Sequence, residues 1–217
     1  MYCAALDTTP GMAGFALMKD DKVVSTAHWN IRGREASKLS ILILDEMEKL
    51  DITLDDITHW SVGSGPGSFT ALRQAAALVS GWSFNRTNLK SRCVPGAVAL
   101  AASVPVKDGD VVCALYDGRN SEILYYNIEF RDGDFHDTGC SGVLNAQQAE
   151  AFFKENTFSS TVCFTAEYET IKKIIPQQLE PVQVEKSDPS WLCKVKSIAF
   201  DNDLTRLVYI RPAVYVN

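Results

Sequence analysis

The chain has 217 residues, of which 46% are hydrophobic and 22% charged, an ordinary balance for one large globular domain or two of about 100 residues. Its net charge of −6 argues against tight nucleic-acid binding by this chain alone, because such binding depends on a basic surface. No apolar run approaches the length of about 18 residues that a membrane-spanning helix needs. The six cysteines form no C-x-x-C pair, and the N-terminal residues do not show the pattern of a signal peptide. We therefore expect a cytoplasmic protein with reduced thiols.

The N-terminal residues predict three strands. An apolar run over 2–6 ends in Asp7 and Thr8, and two strand-like runs flank the polar turn 19–22, which is typical of a β-hairpin. Three opening strands, the first ending in an acidic residue and a hydroxyl, resemble the start of an actin-like ATPase domain, where such groups lie beneath the nucleotide phosphates. Asp7 and Thr8 fit the plain end of a strand equally well, and both interpretations stay open.

The stretch 60–84 predicts the end of a strand, a glycine-rich turn and a long helix over 68–85, with Ser68 as its N-cap. Gly65 and Gly67 leave the turn free to adopt positive φ, and N–H groups at the start of the helix could hold an anion. The spacing matches neither G-x-G-x-x-G nor G-x-x-x-x-G-K-[ST]. A tight turn with a capping serine therefore remains the simpler interpretation.

Two predicted helices, 35–50 and 68–85, carry more apolar surface than one sheet can cover. The second has only four polar residues between Ala71 and Phe84. A helix that is apolar on most sides must be buried on more than one side. We therefore expect a second helix layer or another chain to cover them.

The segment 104–109 is the best candidate boundary, which divides the chain into lobes 1–104 and 105–217. The second lobe predicts strands at 111–116, 122–130 and 161–164, and helices at 145–154, 167–175 and 188–200. Asp117, Arg119 and Glu122 form a polar cluster at a strand end. They could be a site, but a salt-bridged turn is the simpler explanation.

The sequence contains no recognisable set of catalytic residues. The histidines His28, His59 and His136 are isolated, and neither H-x-x-x-H nor H-E-x-x-H spacing occurs. A G-x-S-x-G nucleophile elbow is also missing. The sequence therefore argues against independent catalysis.

Three motifs resemble those of the TsaB family, also called YeaZ: Leu-Asp-Thr-Thr at 6–9, Gly-Pro-Gly-Ser-Phe-Thr at 65–70, and Asp-x-Arg-x-x-Glu at 117–122. They occur in the family's order and spacing. The resemblance implies an α/β actin-like (ASKHA, ribonuclease H-like) fold of two related lobes, with mixed sheets and flanking helices. It also implies a non-catalytic subunit that binds and activates a TsaD-like catalytic partner in making threonylcarbamoyladenosine on tRNA.

The same resemblance implies a TsaE-like ATPase in the assembly, a homodimer when the protein is alone, and contact with tRNA only through the complex. It implies no metal and no tightly bound cofactor, with ATP or ADP allowed at the partner interface. The candidate anion or nucleotide residues are Asp7, Thr8, Gly65, Gly67 and Ser68. Two alternatives from another class are a small-molecule kinase or ATPase of the actin-like superfamily and a glycoprotease-like peptidase.

In the family, the two long helices build the bundle between subunits, which agrees with their surplus of apolar residues here. The resulting hypothesis places seven residues on or near the partner surface: Leu39, Ile43, Met47, Leu72, Ala75, Ala76 and Val79. On this hypothesis, Ala75→Glu dissociates the complex without unfolding the monomer.

The chain departs from the family pattern at four places. Ala36 replaces the histidine of a His-Ser pair, Ala71 replaces a glycine, Gly118 replaces an alanine, and the C-terminal motif at 212–216 lacks its arginine. These departures bear on the anion site and on partner contacts, and leave the expected fold unchanged.

Overall fold

The computed structural model describes residues 1–8, 12–31 and 37–210, which divide into two compact units. Unit 1 consists of 1–96 and 188–208, and unit 2 consists of 97–187 and 209–210. The division falls at 96/97 rather than at 104/105, and 188–208 return to unit 1 instead of staying with the second lobe. The buried Arg92 explains this return, because its guanidinium donates hydrogen bonds to the carbonyl oxygens of Leu192, Cys193 and Ile198.

Unit 1 is built on a mixed five-stranded sheet of order β3-β2-β1-β4-β5. Its strands are β1 (Tyr2–Asp7), β2 (Ala13–Lys19), β3 (Lys22–Trp29), β4 (Ile57–Gly63) and β5 (Lys90–Val94). The first three strands pair antiparallel, whereas β1–β4 and β4–β5 are parallel. Helices α1 (Leu39–Glu48) and α2 (Phe69–Ser83) make the two crossover connections.

Unit 2 repeats this arrangement in a sheet of order β10-β9-β6-β7-β8. Its strands are β6 (Asp110–Asp117), β7 (Glu122–Arg131), β8 (Asp134–Asn145), β9 (Ser160–Phe164) and β10 (Val182–Val184). The first three are antiparallel, and β6–β9 and β9–β10 are parallel. The remaining helices follow β5 in the chain: α3 (Gly96–Ala101), α4 (Ala146–Glu155), α5 (Thr165–Ile171) and α6 (Ser190–Lys194). Of these, α6 lies in the segment 188–208, which belongs to unit 1. The common topology confirms two related lobes.

Local sequence explains several of these elements. The β2–β3 turn places Asp20 and Asp21 at φ 47° and 65°, the left-handed pair that a tight hairpin needs. Asn145 caps α4 as predicted: its side chain accepts from the Gln148 N–H at 2.9 Å, and Gln148 Oε1 accepts from the Asn145 N–H at 3.0 Å. None of the helices in the described ranges is long and apolar enough to cross a membrane.

Other boundaries differ from the predicted ones. Helix α5 ends at Ile171, ahead of the predicted stop at Pro176, and α6 covers only Ser190–Lys194 rather than 188–200. The sequence gives no bounds for the long strand β8, because it carries two glycines and several polar residues. The predicted extended segment at the C-terminus and the start of the first long helix lie largely outside the described residues.

Candidate functional site

The predicted partner residues lie in the interior of unit 1. Leu39, Ile43, Met47, Leu72, Ala75, Ala76 and Val79 are at most 7% exposed, and all but Leu72 belong to one core cluster with the sheet residues. Side chains buried in this way offer no surface to a partner, so their assignment to the interface is wrong. Ala75 is fully buried, so a glutamate there would bury an unpaired charge, and we expect Ala75→Glu to affect folding as well as any association.

The outward faces of the same helices do carry apolar residues. On α1, Ile41 is 58% exposed and Leu44 is 40% exposed. On α2, Ala77 and Gly81 are exposed, and Phe84, just after the helix, is 83% exposed. The apolar surplus predicted from the sequence therefore exists, and different residues carry it.

The glycine-rich turn after β4 is held by main-chain hydrogen bonds on both sides. The Ser64 N–H donates to Val94 O at 2.8 Å, and the Ser64 carbonyl oxygen accepts from the Val208 N–H at 2.7 Å. The Gly65 carbonyl oxygen accepts from the Gly96 N–H at 2.7 Å. Gly65 has φ 105°, the conformation that only glycine adopts without strain. The turn is therefore fixed in position at the carboxyl end of the sheet.

Asp7 lies against the start of this turn. A Cβ atom on Gly63 would overlap the Asp7 carboxylate, and Asp7 is only 1% exposed. Thr8 is 8% exposed, and its Oγ1 makes no hydrogen bond within the described residues. Two of the predicted anion-site elements, the acidic strand end and the glycine turn, are thus brought together.

Ser68 occupies the N-cap position of α2 with extended backbone angles, but its side chain makes no capping hydrogen bond. The predicted capping interaction is therefore wrong. Because Ser68 does not cap the helix, its hydroxyl does not use up an N–H donor of the first turn. Gly67 lies in the same turn and is half-buried.

The second-lobe motif is a tight turn between β6 and β7 that main-chain donors close. The Arg119 N–H donates to Asp117 Oδ1 at 2.8 Å, the Gly118 N–H donates to Glu122 O at 2.9 Å, and the Glu122 N–H donates to Arg119 O at 3.0 Å. Residues 119–121 all have left-handed φ, between 49° and 59°. Such a run costs about 1–2 kcal/mol per residue, so its neighbours must hold it in place.

Gly118 is what lets the turn close so tightly. A Cβ atom at this position would lie 2.8 Å from the Glu122 carbonyl oxygen, closer than the main chain tolerates. The alanine that is usual at this point of the TsaB pattern would therefore require the turn to open. The tight geometry of the turn therefore explains why glycine stands at position 118.

Glu167 is a site residue that the sequence motifs missed. It lies in the first turn of α5, and its Oε2 accepts from the Asp117 N–H at 3.3 Å. Burial raises the pKa of Glu167 to about 7; that hydrogen bond lowers it in part, and the Asp117 carboxylate raises it further. The two residues meet because β6 and β9 are parallel neighbours. In the sequence, Glu167 could have been found as an acidic residue soon after the predicted strand 161–164.

Asp7 and Asp117 hold equivalent places, since each ends the central strand of its unit's sheet. The histidines lie on three different strands: His28 on β3, His59 on β4 and His136 on β8. Among the described residues, no group of three or more histidine, cysteine, aspartate and glutamate side chains is arranged to hold a metal ion.

Comparisons with known proteins agree with this architecture. Residues 34–151 match the family model described as TsaD, tRNA N6-adenosine threonylcarbamoyltransferase. No curated protein matches the chain by sequence. A crystal structure of an uncharacterized protein with similarity to peptidase YEAZ from Pseudomonas aeruginosa is 20% identical, with a TM-score of 0.74 over 97% of this chain and 99% of that one.

Two further structures extend the comparison. YeaZ from Pseudomonas aeruginosa is 21% identical, with a TM-score of 0.70 and 89% of each chain covered. The ethanolamine utilization protein EutJ from Carboxydothermus hydrogenoformans is 10% identical, with a TM-score of 0.50 over 88% of this chain and 90% of that one. At these identities the structures establish the fold, and they confirm the predicted actin-like α/β class.

Proposed function

Because the chain belongs to the TsaD family of tRNA N6-adenosine threonylcarbamoyltransferase proteins, whose model matches more than half of it, we propose that it acts in threonylcarbamoyladenosine formation on tRNA as a TsaB-like subunit. In this role it is non-catalytic, and it binds and activates a TsaD-like catalytic partner. The YeaZ fold and the motifs at 6–9, 65–70 and 117–122 support the TsaB branch of the family.

The observation that carries this proposal is the apolar surface on the outward sides of α1 and α2. We define the α1–α2 surface as Ile41, Leu44, Ala77, Gly81 and Phe84. Ile41, Leu44 and Phe84 are large exposed apolar side chains, and groups of such side chains mark protein interfaces, in which a few of them act as anchors. A Cβ atom added at Gly81 would meet nothing within 4 Å, so a partner can approach the helix closely there. We therefore assign the partner interface to the α1–α2 surface instead of to the seven core residues.

His59 is held in place by its neighbours in unit 1. Its ring packs edge-on against Phe200, with 4.7 Å between centroids, and its Nδ1 lies 2.9 Å from Thr58 Oγ1. Burial, followed by the charges of Lys90 and Arg92, lowers the pKa of His59.

The remaining parts of the proposal concern the assembly. The α1–α2 surface forms a homodimer when the protein is alone and exchanges that contact for the TsaD-like partner. A TsaE-like ATPase joins the complex, and tRNA is contacted through the complex because the chain's net charge is −6. The protein works in the cytoplasm.

A nucleotide enters the proposal only at the partner interface. The Asp7 carboxylate against the glycine turn is the feature that would lie near ATP or ADP phosphates. The same feature favours one alternative function, a small-molecule kinase or ATPase of the actin-like superfamily. ATP turnover by the isolated chain would support that alternative, whereas nucleotide binding only in the mixed complex supports the proposed one.

The proposed function is tested by combining the chain with the TsaD-like protein of the same genome. Size exclusion with light scattering measures the mass of the mixture, and nucleoside analysis of tRNA measures threonylcarbamoyladenosine formed in the presence of TsaE-like protein. We expect a complex, and modification that requires the chain. Full modification without it, or two proteins that elute separately, would overturn the proposal.

A further inference from the structure

Two cysteines from opposite ends of the chain meet in unit 1. Cys3 lies on β1, and Cys193 lies on α6 in the returning segment 188–208. Helix α6 packs against β1, and this packing places the two thiols in contact. Both residues are half-buried and reduced in the structure. Neither sequence spacing nor a motif marks this pair, because the fold alone brings it together.

The register of the sheet explains why the contact forms. Along β1 and β4, Cys3 is opposite His59 and Ala5 is opposite Ser61, while Ser61 is opposite Arg92 on β5. Since side chains alternate between the two sides of a sheet, Cys3, Ser61 and Arg92 project from the same side. The returning segment covers this side of the sheet.

Arg92 fixes Cys193 above that row of side chains. Its Nε donates to Ser61 Oγ at 3.0 Å, and its Nη2 donates to the Cys193 carbonyl oxygen at 2.9 Å. Arg92 is only 2% exposed, so the guanidinium holds α6 in one position. The thiol contact is therefore built into the packing of unit 1.

We propose that Cys3 and Cys193 are a thiol–disulfide modification site, at which an intramolecular disulfide reversibly ties the segment 188–208 to β1. The oxidant is a low-molecular-weight disulfide of the glutathione type. This inference does not depend on the proposed function.

The surroundings assign different roles to the two thiols. The hydrogen bond from Cys193 lowers the pKa of Cys3 most; burial opposes this, and the Arg92 charge and Ser61 lower it further. Burial and the contact with Cys3 raise the pKa of Cys193. Because the thiolate is the attacking species, Cys3 is the nucleophile and Cys193 is the resolving thiol.

The exchange proceeds in two balanced steps. Cys3 loses its proton and its sulfur attacks the oxidant disulfide, which forms a mixed disulfide and expels one thiolate that takes up a proton. Cys193 then loses its proton and attacks the Cys3 sulfur, which expels the second thiolate. Two protein thiols are oxidised to one disulfide, and one oxidant disulfide is reduced to two thiols.

Three of the remaining cysteines are poor competitors for this exchange. Burial raises the pKa of Cys93 to about 11 and that of Cys163 to about 12, and it also raises the pKa of Cys113. Cys140 is exposed on β8, so it can form a mixed disulfide with the oxidant. Cys140→Ser is therefore the matched control variant.

The test exposes the folded full chain to glutathione disulfide, alkylates the remaining thiols and maps the peptides by mass spectrometry. In the peptide map we expect a disulfide-linked peptide that joins Cys3 to Cys193. The intact mass of the Cys140→Ser protein should fall by two hydrogen atoms. Reduced glutathione should reverse both changes fully. In Cys193→Ser, checked by circular dichroism for folding, Cys3 should stop as the mixed disulfide with glutathione.

Cys3 and Cys193 that both stay open to alkylation while Cys140 is modified would overturn the proposal. The proposal would also be overturned if the unchanged chain kept a mixed disulfide at Cys3 while Cys193 stayed free, because the resolving step would then not occur. If Cys193→Ser fails to fold, the peptide map of the unchanged chain decides alone.

Discussion

Arg92 should contribute more to the stability of unit 1 than any exposed charge of this protein. Its guanidinium donates to Ser61 Oγ and to the carbonyl oxygens of Leu192, Cys193 and Ile198. The group also lies over the Phe200 ring, 4.1 Å from its centroid. Changing Arg92 to methionine keeps the length of the side chain and removes all of these donors.

The free energy of unfolding should fall by about 3 kcal/mol. A hydrogen bond to a charged group is worth about 1.5–3 kcal/mol, but the four bonds share one guanidinium whose burial itself costs several kcal/mol. The carbonyl oxygens that lose their donors can reach water only if the segment 188–208 loosens. The loss in unfolding free energy therefore stays large. For a protein of this size the loss corresponds to a melting temperature lower by about 6–12 °C.

The assay is chemical denaturation together with amide hydrogen exchange of 188–208. Arg206→Met is the control, because Arg206 lies in the same segment, is 67% exposed and pairs with Asp201 at 2.8 Å and Asp203 at 3.0 Å; its loss should cost less than about 1 kcal/mol. Equal stability of the two variants, or unchanged exchange in 188–208 of Arg92→Met, would refute the reasoning.

Three further predictions rest on single contacts. Ala75→Glu should leave the chain unfolded, because Ala75 is fully buried, whereas Ala77→Glu on the exposed side of the same helix should fold; circular dichroism separates them. Gly63→Ala should lower the melting temperature, because its methyl group would overlap the Asp7 carboxylate, and a Tm equal to that of the unchanged chain would contradict that contact. Burial raises the pKa of Glu167 to about 7, above the ordinary glutamate pKa of about 4.3. The protonated side chain therefore contributes to stability fully below that ordinary pKa, and the contribution is lost as the pH rises through 7. Glu167→Gln should reduce the change in unfolding free energy across this pH window by about 1 kcal/mol, a value lowered from the full pKa shift because the side chain is partly exposed. An unchanged pH profile of stability would contradict this prediction.

Much of the fold could be predicted because its local patterns and its tertiary packing agree. Alternating and continuous apolar runs mark β1 to β7, the turn residues Asp20, Asp21 and Gly133 take left-handed angles, and Asn145 caps its helix. The return of 188–208 to unit 1 could not be predicted, because it depends on hydrogen bonds from Arg92 across about half of the chain. The bounds of strand β8 could not be predicted, because its pairing with β7, rather than its own composition, determines them.

The candidate site was predicted in its residue types more accurately than in its geometry. The apolar surplus of the two helices was correct, but periodicity alone does not tell which stripe faces the sheet, so Leu39 and Val79 were assigned to the partner instead of Ile41 and Leu44. Glu167 was missed because its link to Asp117 requires knowing that β6 and β9 are neighbours.

The most direct measurement is the affinity between the TsaD-like protein and three forms of this chain by isothermal titration: unchanged, Leu44→Asp and Val182→Asp. Leu44 is 40% exposed on α1, and Val182 is 46% exposed on the edge strand β10, so the two changes place the same charge on similarly exposed apolar positions. The α1–α2 surface predicts that Leu44→Asp weakens binding by about 30-fold or more, the loss expected for an interface anchor, with Val182→Asp unaffected. Equal affinities for all three forms would contradict it.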